Sequence, residues 1–284
     1  MIKITAFLLC VLTSVVWCSG ISNKSTPSCT CVPFYQCSDP EEGNGIISDG
    51  RGLIEIRGCG HQNNETFPWS ASLLYKQYPN FVPSYKCRVS LIHPKVALTA
   101  AHCLDEDGFY LVRISGTIRA TAQIIIHPHF KPASLQNDIA ILILNKPFKS
   151  SEKIGTVCIP PPEAVLNGSG CTAATWLQEK RESLEVIQLP IVPKDHCVEM
   201  LRKTRLGSFF LLHHSFLCAG GEADQDTCGG DGGSPLICPV PGVPGRYQQA
   251  GIVSWGIGCG EKFPGVYVNL PHFREWIDEV MTQN

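Results

Sequence analysis

The chain has 284 residues, of which 44% are hydrophobic and 17% charged, so it has ample apolar material for a sizeable core. Its 23 Lys and Arg residues nearly balance 25 Asp and Glu residues, which gives a formal net charge of -2. These values exclude a disordered or collagen-like chain, and they exclude a protein that binds nucleic acid or anionic lipid through its overall charge.

The first residues predict secretion. Lys3 is followed by the apolar run ITAFLLCVLTSVVW and then by Ser19 and Gly20, the pattern of a signal peptide over residues 1–20. A membrane anchor is the alternative, but the run is shorter than the ~20 residues that a spanning helix needs. We therefore expect an extracellular protein that does not contact a membrane. Glycosylation motifs at Asn23, Asn64 and Asn167 are compatible with that route.

Residues 21–66 predict a small module or linker stabilised by disulfides. The segment has few large apolar side chains, and Cys29, Cys31 and Cys37 lie within nine positions. The chain has 15 cysteines, and two of them lie in the predicted signal peptide, which leaves an odd number. At least one thiol therefore lacks an intramolecular partner, unless cleavage or metal binding changes the count.

Residues 67–284 predict an all-β domain that ends in a helix. Short apolar or alternating runs such as SLLY, TAQIII, DIAILIL and AGIVSW are separated by Pro, Gly and Asn, which favours a barrel or sandwich. Only the last segment has clear helical periodicity, with Phe273, Trp276, Ile277 and Val280 at i, i+3, i+4 and i+7.

Three motifs in this region predict its family. VALTAAHCL contains His102, NDIAILIL contains Asp138, and DTCGGDGGSPLIC contains Gly232. In this order they resemble the TAAHC, DIALL and GDSGGP motifs of the chymotrypsin- and trypsin-like serine proteases. FPW, SLIHP, SWG and PGVYVN extend the resemblance over nearly all of residues 67–284. It implies two six-stranded antiparallel β-barrels and a C-terminal helix.

The catalytic serine of that family is missing here. The mechanism needs a Ser hydroxyl within reach of a His that an Asp orients, and the serine position is Gly232. We do not expect Ser234 to replace it, because two residues of extended chain span roughly 6–7 Å, whereas base and nucleophile approach to about 3 Å. We therefore predict a pseudoprotease. His102 and Asp138 are either a retained base and its orienting group or, in our preferred interpretation, residues with a structural role only.

Two further family features are in doubt. Asp226 is at the position where trypsin-like members pair with a substrate Lys or Arg, and the pocket walls would include Ser254, Gly256 and Gly265. This pocket is either a surviving binding site for a basic side chain or an inherited and partly collapsed cleft. No activation junction of the R/IVGG type lies between Cys59 and Phe67, so Asp231 is expected to lack its usual N-terminal partner.

The resemblance also implies the disulfide pairing. The expected bridges are Cys87–Cys103, Cys171–Cys238, Cys197–Cys218 and Cys228–Cys259, together with Cys59–Cys158, which would tether the N-terminal extension. CTCVPFYQC and DGRGLIEIR resemble the opening of the clip domain of arthropod serine protease homologues, here in truncated form. A generic Cys-rich linker and a shortened gene model are the alternatives.

The protease-like part resembles most closely the prophenoloxidase-activating cofactor branch of that family, in which GDGGSP is characteristic. This implies a secreted, inactive homologue that binds active clip-type proteases or a zymogen substrate in a cascade such as arthropod melanisation and innate immunity. The alternatives are an active trypsin-like endopeptidase that cleaves after Lys or Arg and an adhesion role of the same inactive fold. We expect no cofactor, no metal and no nucleic-acid partner.

Overall fold

The computed structural model describes residues 46–48, 54–56, 58–61, 67–76, 82–105, 108–162, 164–166, 170–176, 184–221, 232–258 and 262–283. The predicted signal peptide, the three clip-like cysteines and all three glycosylation motifs lie outside these residues. Two short strands, β1 (Ile46–Ser48) and β2 (Ile54–Ile56), pair in antiparallel fashion ahead of the main domain.

A closed six-stranded barrel forms the first half of the main domain. Its strands are β3 (Ser70–Lys76), β4 (Ser84–His93), β5 (Val96–Thr99), β6 (Phe109–Ile114), β7 (Thr117–Ile126) and β8 (Ala140–Leu144). The strands close in the order β3-β4-β5-β8-β7-β6. All five residues of β8, AILIL, are buried, as expected for a continuous run of apolar side chains inside the domain.

The second half is a sheet of seven strands. These are β9 (Thr172–Trp176), β10 (Leu184–Gln188), β11 (Ile191–Val192), β12 (Phe216–Gly220), β13 (Pro235–Pro239), β14 (Tyr247–Trp255) and β15 (Pro264–Asn269). Their order is β10-β9-β13-β14-β15-β12-β11, so the two edge strands are consecutive in the chain. The all-β prediction is confirmed, but the second sheet has seven strands where six were expected. Pro190, which has no N–H to donate, lies between β10 and β11 and divides one run of chain into two strands.

Two α-helices lie among the described residues, α1 (Lys194–Arg202) and α2 (Leu270–Gln283). The C-terminal helix is the one that the periodicity predicts, and it buries Phe273, Ile277 and Val280. Helix α1 was not predicted from the sequence, because its buried side chains are only Cys197 and Leu201, one helical turn apart. Neither of these helices has the length and apolar character needed to cross a bilayer.

Four disulfides are present among the described residues. They join Cys59 to Cys158, Cys87 to Cys103, Cys171 to Cys238 and Cys197 to Cys218. The fifth expected pair, Cys228–Cys259, lies outside the described residues. Next to the first bridge, the Gly60 N–H donates to the Thr156 carbonyl at 2.8 Å, so this part of the N-terminal extension is held against the main domain.

Candidate functional site

His102 and Asp138 meet at the edge of the first barrel. His102 lies on a short 3₁₀ turn (Ala101–Cys103) after β5, and Asp138 lies two residues before β8, which pairs with β5. Asn137 has a φ of 57°, a left-handed conformation that Asn adopts more readily than most residues. Its side-chain amide donates to the His129 carbonyl at 2.8 Å, which fixes the turn that delivers Asp138.

The carboxylate of Asp138 is fully buried and accepts three hydrogen bonds. The His102 backbone N–H donates to Oδ1 at 2.8 Å, and His102 Nδ1 lies 2.7 Å from Oδ2. The Ser254 hydroxyl donates to the same Oδ2 at 2.6 Å. Since a carboxylate only accepts, Nδ1 carries the imidazole proton and Nε2 is left as an acceptor. The His102 side chain remains 29% exposed, so the ring is accessible to solvent.

Gly232 faces this imidazole. A Cβ built on Gly232 would lie 3.0 Å from His102 Nε2 and 3.6 Å from Cys87 Sγ, so a side chain at this position would contact the base directly. The Arg88 N–H of β4 donates to the Gly232 carbonyl at 2.9 Å and holds the position at the junction of the two sheets. The three positions therefore have the arrangement of a catalytic triad, but the nucleophile is absent.

The neighbouring residues do not replace the missing hydroxyl. Ser234 is fully buried, and among the described residues its Oγ has no hydrogen-bond partner, so His102 does not activate it. Gly233 has a φ of 80°, and a Cβ there would collide with the Arg88 carbonyl and with Thr99 Oγ1. The backbone conformation and close packing thus require glycine at position 233, whereas glycine at position 232 leaves the site without a nucleophile.

The residues expected at the substrate pocket are only partly brought together. Ser254, assigned to the pocket from sequence, directs its hydroxyl to Asp138, and the sequence analysis missed this role. Among the described residues, a Cβ built on Gly256 meets nothing closer than the Gly258 carbonyl at 4.0 Å. Gly265 lies on β15, and Asp226 is outside the described residues.

One group of described residues has the spacing of metal ligands. Cys87, His102 and Cys103 bring their ligating atoms within 4.8 Å of one another. The two sulfurs are joined in a disulfide, so neither is the thiolate that would bind a metal. The group therefore does not fit a metal site, and its sulfurs instead form one wall beside His102.

Comparisons with known proteins agree with this geometry. The family model described as "Trypsin" matches residues 56–277, and the model described as "Serine protease Clip domain PPAF-2" matches residues 19–67. "Phenoloxidase-activating factor 2" of Galleria mellonella is 41% identical over 241 residues, which cover 75% of this chain and 80% of that protein.

Two mosquito relatives carry names that describe inactive proteins. "Inactive CLIP domain-containing serine protease A28" of Anopheles gambiae is 35% identical, over 83% of this chain and 67% of its own length. "Inactive CLIP domain-containing serine protease A8" of the same species is 33% identical, over 84% of this chain and 71% of its own length. The loss of the nucleophile at Gly232 gives the physical reason why this chain would share that property.

Proposed function

Because this chain belongs to the trypsin family of serine proteases and is an inactive clip-type homologue, we propose that it is a secreted binding cofactor in an extracellular protease cascade. Its partners are active clip-type proteases or a zymogen substrate. The relative from Galleria mellonella is named as a factor that activates phenoloxidase, which supports a cascade of melanisation and innate immunity. Fold-level similarity supports the type of cascade and leaves the individual partner to experiment.

The observation that carries this proposal is the glycine opposite His102. Removal of the nucleophile from such a triad lowers turnover on the order of a millionfold, and no other hydroxyl among the described residues is hydrogen-bonded to His102 Nε2. The buried His102–Asp138–Ser254 network nevertheless persists. We assign it a structural role, since Asp138 satisfies donors from both halves of the domain.

We divide the protein into three parts. Residues 1–20 are a signal peptide, residues 21–66 a truncated clip-like module and linker, and residues 67–284 the protease-homologue domain. The clip-family match over residues 19–67 and the trypsin-family match over residues 56–277 support this division. N-terminal sequencing of the secreted protein tests the first boundary, with a start after Gly20 expected.

Two measurements on the full secreted chain test the proposal. A fluorophosphonate that labels activated serines should leave the protein unlabelled under conditions in which trypsin is labelled stoichiometrically. The same preparation, added to extracellular fluid depleted of it, should increase phenoloxidase activity in the presence of an active clip-type protease. Stoichiometric labelling would falsify the inactive assignment, and an unchanged phenoloxidase activity would contradict the cofactor role.

A further inference from the structure

An apolar cavity of about 670 Å³ lies in the second half of the domain, outside the His102 cleft. The chain from β11 to the first residue of α1 forms one wall, and the segment that leads into β12 forms another. Its lining is mostly aliphatic and aromatic, with Ile191, Leu212 and Phe216 among the members, whereas Lys194, His214 and Asn269 are polar. A concave apolar surface with a few polar groups is typical of a binding site.

Large apolar side chains stand exposed on two loops beside this cavity. Val165 is 71% exposed and lies between two lining residues, and Leu211 is 77% exposed and precedes the lining residue Leu212. Phe209, two residues earlier, is 95% exposed. Phe210, which lies between Phe209 and Leu211, packs against Trp255, with ring centroids 6.1 Å apart. This contact anchors the loop, whereas Phe209 and Leu211 face solvent. Exposed apolar groups clustered around a cavity indicate a protein interface.

Basic side chains lie beside the cavity. The His213 and His214 rings lie 3.9 Å apart, and His214 lies 4.6 Å from His272. Burial and then the positive charges of His214, Lys131, His272 and Lys194 lower the pKa of His213. Among the described residues, the side chains whose charges act on this ring are all basic. The lowered pKa leaves His213 uncharged near neutral pH, so an anionic group placed here would pair with Lys131 and Lys194.

Helix α1 and the turn that follows it extend this charge. Their basic residues are Lys194, Arg202, Lys203 and Arg205, against Asp195 and Glu199 on the same segment. The surface as a whole complements a negatively charged partner.

We infer that this surface, defined by the cavity with Val165, Phe209, Leu211, Lys194 and His214, docks an acidic peptide segment of a partner protein that inserts an apolar side chain. The inference rests on the proposed binding function and names its surface. The apolar rim on two separate loops favours a protein over a small amphipathic anion, because a small ligand would occupy the cavity and leave Phe209 and Leu211 in solvent.

The direct test measures binding of three fluorescein-labelled peptides to the full secreted chain. They are Asp-Glu-Leu-Phe-Glu-Asp, the same peptide with Ser-Ser in place of Leu-Phe, and Lys-Lys-Leu-Phe-Lys-Lys. The first should bind at least about tenfold more tightly than either of the others, a difference of about 1.4 kcal/mol, and should weaken with added salt. Equal affinity for all three peptides would overturn the inference.

Paired variants locate the site. Lys194→Ala with Leu211→Ser should weaken binding of the acidic apolar peptide at least about tenfold. The matched control is Lys149→Ala with Ile118→Ser, which removes an exposed cation and an exposed apolar side chain from the first half of the domain. Unchanged affinity in the first pair, or equal loss in the control, would refute the location. If laurate displaces the peptide, and if the Leu211→Ser variant binds laurate as tightly as the wild type does, the cavity is a small-ligand site instead.

The two proposals fail differently. Peptide binding that depends on this surface, in a protein without effect on phenoloxidase activity, supports the docking surface and contradicts the cofactor role. Full cofactor activity in a Lys194→Ala, Leu211→Ser variant that no longer binds the peptide supports the cofactor role and overturns this surface as its docking site.

Discussion

The carboxylate of Asp138 links the two halves of the domain through hydrogen bonds. Its carboxylate accepts from two groups of His102 in the first barrel and from Ser254 on β14 in the second sheet. Each donor is buried or partly buried and would otherwise lack this partner, so the network contributes to the free energy of folding even though no nucleophile remains.

Asp138→Asn should destabilise the protein by about 3 kcal/mol, since hydrogen bonds to charged groups contribute about 1.5–3 kcal/mol each and the new amide N–H₂ would face a donor. Denaturant unfolding monitored by tryptophan fluorescence measures this change. The matched control is Asp105→Asn, in which the carboxylate lost is exposed and paired with Lys86 at 2.8 Å. Its effect should stay below about 1 kcal/mol. Equal effects of the two substitutions would contradict a structural role for the buried network.

Repair of the motif should not restore hydrolysis. Gly232→Ser with Ser234→Gly recreates GDSGGP beside His102, and the new Cβ would lie 3.0 Å from Nε2. Catalysis also needs the backbone N–H groups of Gly230 and residue 232 directed at the developing oxyanion, roughly 3–4 kcal/mol for one donor. The resemblance implies that this geometry depends on a new N-terminus pairing with Asp231, and the sequence lacks that junction. We expect the double variant to hydrolyse arginyl esters no faster than a zymogen does, before or after light trypsin treatment. Turnover as fast as that of trypsin would show that Gly232 is the sole defect.

At the scale of single elements, the run from Leu184 to Val192 joins the edges of the second sheet. Its first half pairs with β9 and its second half with β12. The Gly220 N–H still donates to the Pro190 carbonyl at 2.9 Å, so proline interrupts the strand without separating it from its neighbour. The Cys171–Cys238 disulfide links the start of β9 to β13 in the same sheet.

Loss of this bridge should reduce stability strongly. Cys171 and Cys238 are separated by 67 residues, for which chain entropy gives roughly 4 kcal/mol, against roughly 3 for the 21 residues between Cys197 and Cys218. Replacement of both Cys171 and Cys238 by Ala should lower secreted yield and melting temperature more than the corresponding change at Cys197 and Cys218. Wild-type yield and melting temperature in the first double variant would argue against this pairing in solution.

For the whole molecule, α2 connects the two halves of the domain. Arg274 donates to the Ile159 carbonyl at 2.8 Å in the segment between the sheets, and to Asp278 one turn along the helix. On its other side the helix covers His127, which follows β7 of the first barrel. The His127 ring lies 5.1 Å from Phe273 and 4.9 Å from Trp276. Attachment of the helix therefore depends on an ionisable group.

This contact predicts a pH-dependent stability. Burial, followed by the positive charges of His129 and His272, lowers the pKa of His127 from 6.5 to about 4. The unfolded state then binds this proton more readily, so the free energy of unfolding falls as pH decreases below about 6.5, and the loss is complete below about 4. His127→Gln should show a smaller decrease than wild type between pH 6.5 and 4. Denaturant unfolding across this range, with exposed His61→Gln as the control, measures the difference; parallel curves for wild type and His127→Gln would contradict it.

Local sequence patterns were sufficient to predict several elements of the fold, the family and the missing nucleophile. The apolar runs of β8 and β14 and the periodicity of α2 predict their elements, because burial of one face or of both faces leaves a regular pattern in the chain. The family was predictable because its motifs are short and ordered, and the absence of a nucleophile followed from the identity of one residue, Gly232. These properties are encoded within a few neighbouring residues.

Tertiary structure decided the features that depend on distant residues. Ser254 lies 116 positions from Asp138 in the chain, so only the packing of the two sheets shows that its hydroxyl binds the carboxylate. The Pro190 interruption became visible only through the different partners of β10 and β11. Likewise, His213, His214 and His272 come together with Lys131 and Lys194 from separate segments. Side-chain charges interact through space, and their spacing along the sequence does not determine which of them become neighbours.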